Sequence, residues 1–133
     1  MQLDIISNEN FGDMMMILYD SLTGNVARFT RKLPLKAIPI TSDMVVDKDF
    51  ILITFTTGLG KTPDTTKEFL ATNHPYLKGI VASGNKNFGT YFAVSADEIA
   101  SIYDVPILLK FELSGTPTDV NLFMEGLSNI EIY

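Results

Sequence analysis

The 133-residue sequence predicts an α/β protein built on a parallel sheet with helices on both faces. Three observations predict it. Five short apolar runs alternate with four segments of helical period, the links between them are short, and one run, Phe50–Phe55, is apolar at every position but Thr54. A near-continuous run of that kind is what a strand covered on both faces requires. A hydrophobic fraction of 46% fills a core at this length without disulfides or a structural metal. The expected organisation is one domain over residues 14–133. Residues 1–13 are read as an added arm, because Asn8-Glu9-Asn10 and Gly12-Asp13 offer little to bury.

In chain order, Met15–Asp20 reads as a buried strand, and Ser21-Leu22-Thr23-Gly24-Asn25-Val26 as a tight turn into a helix. Val26, Phe29 and Leu33 share one face of that helix before Pro34 stops it. Leu35–Ile40 is a second strand, placed at a sheet edge by Pro39, which cannot donate to a ladder. Phe50–Phe55 is the central strand. Thr56-Thr57-Gly58-Leu59-Gly60-Lys61 follows as a loop, and Thr62-Pro63-Asp64 supplies an N-cap, a first-turn proline and an acid for a helix reaching about Asn73. Gly79–Ser83 is a short fourth strand with a long polar loop, Gly84–Gly89, after it. Phe92, Ala96, Ile99 and Tyr103 recur at helical spacing, with Ser95 and Glu98 available as a capping box. Ile107–Leu113 is the fifth strand. Thr116-Pro117-Thr118-Asp119 opens a last helix, whose Val120, Phe123, Met124 and Leu127 lie on one face.

Composition narrows the chemistry. With no cysteine there is no thiolate nucleophile, redox dithiol or iron–sulfur ligand, so redox work must come from a bound cofactor. The single histidine, His74, precedes Pro75 at a helix end and reads as a surface or capping residue. A net charge of −6 opposes a nucleic-acid partner, which needs a concentrated basic surface. Met1-Gln2-Leu3-Asp4 is acidic where a secretory signal is positive, and no apolar run approaches spanning length, so no membrane role and a cytoplasmic location are expected.

Several motifs are near misses. Gly60-Lys61-Thr62 matches the end of a P-loop, but Phe55 stands where its first glycine belongs and Pro63 removes an N–H from the cradle. Pro63 also replaces the third glycine of a dinucleotide fingerprint starting at Gly58. A phosphoaccepting receiver would need an aspartate where Phe55-Thr56 ends the third strand. Asp47 and Asp49 read as a solvated pair.

In doubly wound sheets ligands sit beyond the carboxyl ends of the strands, where strand order reverses. Three loops matter there together. The turn 21–26 carries free N–H groups and the Ser21 and Thr23 hydroxyls, which suit a phosphate without a lysine, or it is an ordinary strand-to-helix loop. Loop 56–62 has glycines at 58 and 60, whose backbone can approach a flat ligand. Loop 83–91 places Asn85 and the aromatics Phe88 and Tyr91 at the same edge; Phe88 either stacks on a ring or closes the core. The three together favour flavin mononucleotide (FMN), with phosphate on 21–26 and the ring between the other two. No catalytic side chain and no metal site are expected.

Asp20-Ser21-Leu22-Thr23-Gly24-Asn25 resembles the phosphate loop of the flavodoxin superfamily. Ala82–Gly89, with Pro106–Thr116 and Asp119-Val120, resembles the NrdI family in particular, and the similarity runs from about Met15 to Leu127. The resemblance implies a flavodoxin-like three-layer sandwich with a five-stranded parallel sheet in the order 2-1-3-4-5. It implies FMN held by Ser21, Leu22, Thr23, Gly24, Asn25 and Val26, by Thr56, Thr57, Gly58, Leu59 and Gly60, and by Ser83, Gly84, Asn85, Asn87, Phe88 and Gly89. It further implies an accessory redox protein rather than a stand-alone enzyme. Fed by a reductase, its flavin reduces oxygen to supply the oxidant that assembles the dimanganese–tyrosyl radical cofactor of the class Ib ribonucleotide reductase subunit NrdF. The alternatives are a general flavodoxin-type electron carrier, and a flavin-free interaction module that keeps only the fold.

Overall fold

The computed structural model describes residues 15–131, so the expected arm of residues 1–13 lies outside the described residues. Five strands form one sheet: β1 (Met16–Tyr19), β2 (Ala37–Pro39), β3 (Phe50–Phe55), β4 (Leu77–Gly84) and β5 (Ile107–Glu112). All neighbours are parallel and the order is β2-β1-β3-β4-β5, as expected. Four helices connect them: α1 (Asn25–Arg31), α2 (Asp64–Asn73), α3 (Val94–Tyr103) and α4 (Pro117–Glu131).

The period-2 alternation of the strands sorts the core into two layers. Met16, Leu18, Phe50, Leu52, Ile80 and Ala82 face α2 and α3, meeting Phe69, Leu70, Ala96 and Ile99. Ile17, Ile51, Ile53, Val81, Leu109 and Phe111 face α1 and α4, meeting Val26, Phe29, Phe123 and Leu127. In the second layer Phe29 stacks on Phe111 with centroids 4.1 Å apart and meets Phe123 edge-on at 6.0 Å. Phe50–Ile53 are wholly buried, which is why that run carries no polar alternation.

Element ends differ from the sequence reading in ways that packing explains. β2 is shorter than Leu35–Ile40, as an edge strand paired on one side only, and Pro39 sits on it exposed. β4 is longer than Gly79–Ser83: after a 3-10 turn at His74–Tyr76, buried Leu77 pairs with Phe50 across a register shift. Two expected caps are absent. Pro63, rather than Thr62, is the N-cap of α2, and the Thr62 hydroxyl donates to Glu98 on α3. The Ser95–Glu98 box does not form, because both side chains are spent on the 56–62 loop: Ser95 pairs with Thr56 and Glu98 with Thr62. α3 starts after Phe92, with Ala93 at a positive φ of 50°, wedged so tightly that a Cβ on Gly84 would lie 2.5 Å from its nitrogen. The loop 84–89 is also more regular than expected, since Lys86–Tyr91 makes a 3-10 turn kinked at Gly89.

Candidate functional site

The carboxyl ends of β1, β3, β4 and β5 open into a cavity of about 270 Å³. Its walls come from all three predicted loops: Ser21, Leu22, Thr23, Asn25 and Val26 from the first, Thr56 and Thr57 from the second, and Ser83, Gly84, Asn85 and Phe88 from the third. Phe55 and Leu113 complete it. Small-molecule sites span roughly 300–1,000 Å³, so a ligand of FMN size held here keeps part of its surface outside the protein.

The first wall is organised by the strand-to-helix turn. β1 runs out at Tyr19, Asp20 N donates to Ile53 O at 2.9 Å, and the chain turns at Gly24, whose φ of 97° favours glycine. Ser21 Oγ accepts from Ala27 N at 3.2 Å and Gly24 O from Arg28 N at 2.9 Å. Among the described residues, no protein acceptor takes the backbone N–H groups of 22 to 26. That is the donor set an anion needs. The Val26 side chain is core, so only its backbone serves the cavity. The turn itself lacks a base, as read from the sequence, but the helix that follows it adds one: Arg28 Nη2, three residues on in α1, donates to Asn25 Oδ1 at 2.7 Å. Asn25 Oδ1 also accepts from Ser114 Oγ at 2.9 Å, which leaves the Nδ2 group as its free end.

Loop 56–62 is braced from outside the cavity. Thr56 Oγ1 donates to Ser95 Oγ at 2.8 Å and accepts from Ser95 N at 3.1 Å, and Thr57 and Lys61 exchange two backbone bonds of 2.8 Å. Gly58, Leu59 and Gly60 form the tip of that bridge and do not line the cavity wall. Gly60 is pressed on Val94 and Tyr91, whereas Gly58 has open space around it. On the third wall, Ser83 Oγ donates to Leu113 O at 2.6 Å, and Asn85 Oδ1 accepts from Asn87 N at 2.9 Å. The Asn85 oxygen is thus committed to its own turn, and Asn87 and Gly89 lie off the wall. Phe88 is 47% exposed, so it does not close the core. Leu22, Leu59, Tyr91 and Leu113 are also exposed apolar residues on these same loops and the β5–α4 turn.

Asp20 ends the first strand beside Ser21. Burial pushes its carboxyl above the ordinary value of 3.8, opposed by bonds from Thr66, whose hydroxyl donates to Asp20 Oδ2 at 2.7 Å. Thr54 lies behind, 2.7 Å from the Thr66 hydroxyl. Sequence reasoning missed Arg28, Phe55, Ser95, Leu113 and Ser114. Leu113 has a positive φ of 54°, and the serines carry no local signal because their partners are 39 and 89 residues away.

A parallel sheet of this order, with a cavity lined by the β1–α1, β3–α2 and β4–α3 loops, defines a flavodoxin-like protein. Solved flavodoxins agree in fold. A short-chain flavodoxin associated with a non-canonical PDU bacterial microcompartment superposes with a TM-score of 0.62 at 19% identity, covering 87% of this chain and 97% of that one. Oxidised flavodoxin 1 from Bacillus cereus gives 0.63 at 16% identity, covering 90% and 98%. More particularly, the chain belongs to the NrdI flavodoxin-like family. The family profile described as "NrdI Flavodoxin like" matches residues 17–125, and Protein NrdI of Bacillus licheniformis is 47% identical over 118 residues, 88% of this chain and 90% of that protein. FMN is the cofactor of this family. No helix among the described residues is long and apolar enough to cross a membrane.

Proposed function

We propose that this chain is an FMN-dependent accessory protein of class Ib ribonucleotide reductase. Taking electrons from a reductase, it supplies an oxygen-derived oxidant to NrdF for assembly of the dimanganese–tyrosyl radical cofactor. FMN, when bound, supplies the electron transfer to oxygen; the chain's own residues hold and orient it. The N–H groups of 22 to 26, with Ser21, Thr23, Gly24 and Asn25, would hold the phosphate. Thr56 and Thr57, with Gly58, Leu59 and Gly60 at the loop tip, would flank one side of the ring. Ser83, Gly84, Asn85 and Phe88, with Asn87 and Gly89, would flank the other. Three loops remote in sequence share one cavity, and that shared lining is the observation that favours FMN here. The partly open walls and the exposed apolar residues around them suit a cofactor that meets oxygen and a protein partner at its edge.

The test is reconstitution. Reduced, FMN-loaded protein is mixed with oxygen and manganese-loaded NrdF, and a tyrosyl radical is sought by electron paramagnetic resonance. A radical that needs this protein supports the role. Its absence, with electrons passed instead to another enzyme, would leave a flavodoxin-type carrier.

A further inference from the structure

The turn 112–116, between β5 and α4, is tied to both sides of the cavity. Leu113 N donates to Gly84 O at 2.9 Å, and Leu113 O accepts from Ser83 Oγ. On the α1 side, Lys32 Nζ donates to the carbonyls of Ser114 and Gly115 at 3.0 and 2.9 Å. Gly115, at φ 74°, sits so close to α1 that a Cβ there would lie 2.7 Å from Phe29 Cδ1. Ser114 Oγ accepts from Arg28 Nε at 3.0 Å and donates to Asn25 Oδ1. Arg28 therefore grips both the phosphate turn, through Asn25, and the strut that holds it.

Its charge matters as much as its bonds. A Cβ on Gly24 would lie 2.8 Å from Arg28 Nη1, so the guanidinium lies directly against the turn. Among the described residues the one ion pair is Lys110 with Asp97, and no described carboxylate pairs with Arg28. In a chain of net charge −6, a cation with no ion-pair partner among the described residues stands beside the turn.

We propose that Arg28 is a positioning residue for the phosphate turn. Held by Ser114, it orients Asn25 with Nδ2 free and supplies a fixed positive charge, and so sets the preference for FMN over the phosphate-free flavin, riboflavin. This rests on the FMN reading of the cavity. Two effects separate it from simple scaffolding: it acts on the phosphate and not the ring, and its charge contribution is screened by salt.

The experiment measures dissociation constants for FMN and riboflavin by quenching of flavin fluorescence at low and high salt. It compares the full-length protein with Arg28→Gln, Arg28→Lys and Ser114→Ala, each checked for folding by circular dichroism. Arg28→Gln is expected to weaken FMN by about tenfold at low salt, with a smaller loss at high salt, while riboflavin changes by less than about twofold. Arg28→Lys restores part of the FMN affinity through its charge, and Ser114→Ala weakens FMN less than Arg28→Gln does. An unchanged FMN-to-riboflavin ratio in Arg28→Gln, or equal weakening of both flavins, overturns the proposal. Wild-type protein that binds neither flavin overturns the FMN reading together with it.

Discussion

Asn73, the last residue of α2, is 1% exposed and ties that helix to the 41–49 segment near the amino ends of the strands. Its Oδ1 accepts from Val46 N at 2.8 Å, and its Nδ2 donates to Met44 O at 2.7 Å and Phe69 O at 2.9 Å. Asn73→Ala strips all three bonds. Phe69 O keeps its helical partner, but Val46 N and Met44 O lose the side-chain bonds that hold them in a buried setting. Each such orphan costs roughly 1–3 kcal/mol, and the better helix propensity of alanine returns only about 0.7 kcal/mol, so the net loss is about 1–5 kcal/mol. That is a large share of the roughly 5–15 kcal/mol stability of a domain. Urea unfolding of the flavin-free protein reads it as a lower midpoint at unchanged slope. Because Asn73 lies at the end of α2 away from the cavity, FMN affinity measured on the folded variant should stay within about twofold. A stability loss below about 1 kcal/mol would refute the assignment of these bonds as buried and obligatory.

Two further outcomes follow from the site. Asp20 has a folded-state pKa raised above 3.8 by burial, so the folded protein binds its proton at pH values where the unfolded chain has released it. Stability from this group therefore increases as pH falls through the raised value and levels off below the ordinary one. Lys61, Asp64 and Lys67 line the same hollow as Asp20, so Asp20→Asn should be compared with wild type across pH at constant salt; a stability difference that does not grow as pH rises would contradict the burial effect. Phe88→Ala should leave unfolding free energy within about 0.5 kcal/mol, since the ring is half-exposed, yet weaken FMN by roughly two- to tenfold if it stacks on the flavin. Titration and unfolding of the same sample decide between the two roles.

Much was legible in the sequence because it is written in local patterns. The apolar runs and helical periods gave five strands and four helices in order, Phe50–Phe55 announced the central strand, and Pro39 announced an edge. The Ser21–Val26, Thr56–Gly60 and Ser83–Gly89 loops could be placed at one sheet end, since alternating strands and helices leave few topologies. What stayed hidden involved side chains choosing remote partners over near ones. Thr62 and Glu98 looked like caps and instead bond to each other, Ser95 serves Thr56, and Arg28 takes Ser114, 86 residues away, as its partner. Local propensity is a short-range free energy, and it identified the loops that make the cavity. The pairing of hydroxyls, amides and charges within those loops is decided by whichever partner the folded chain brings within about 3 Å, and that is set only by the tertiary packing.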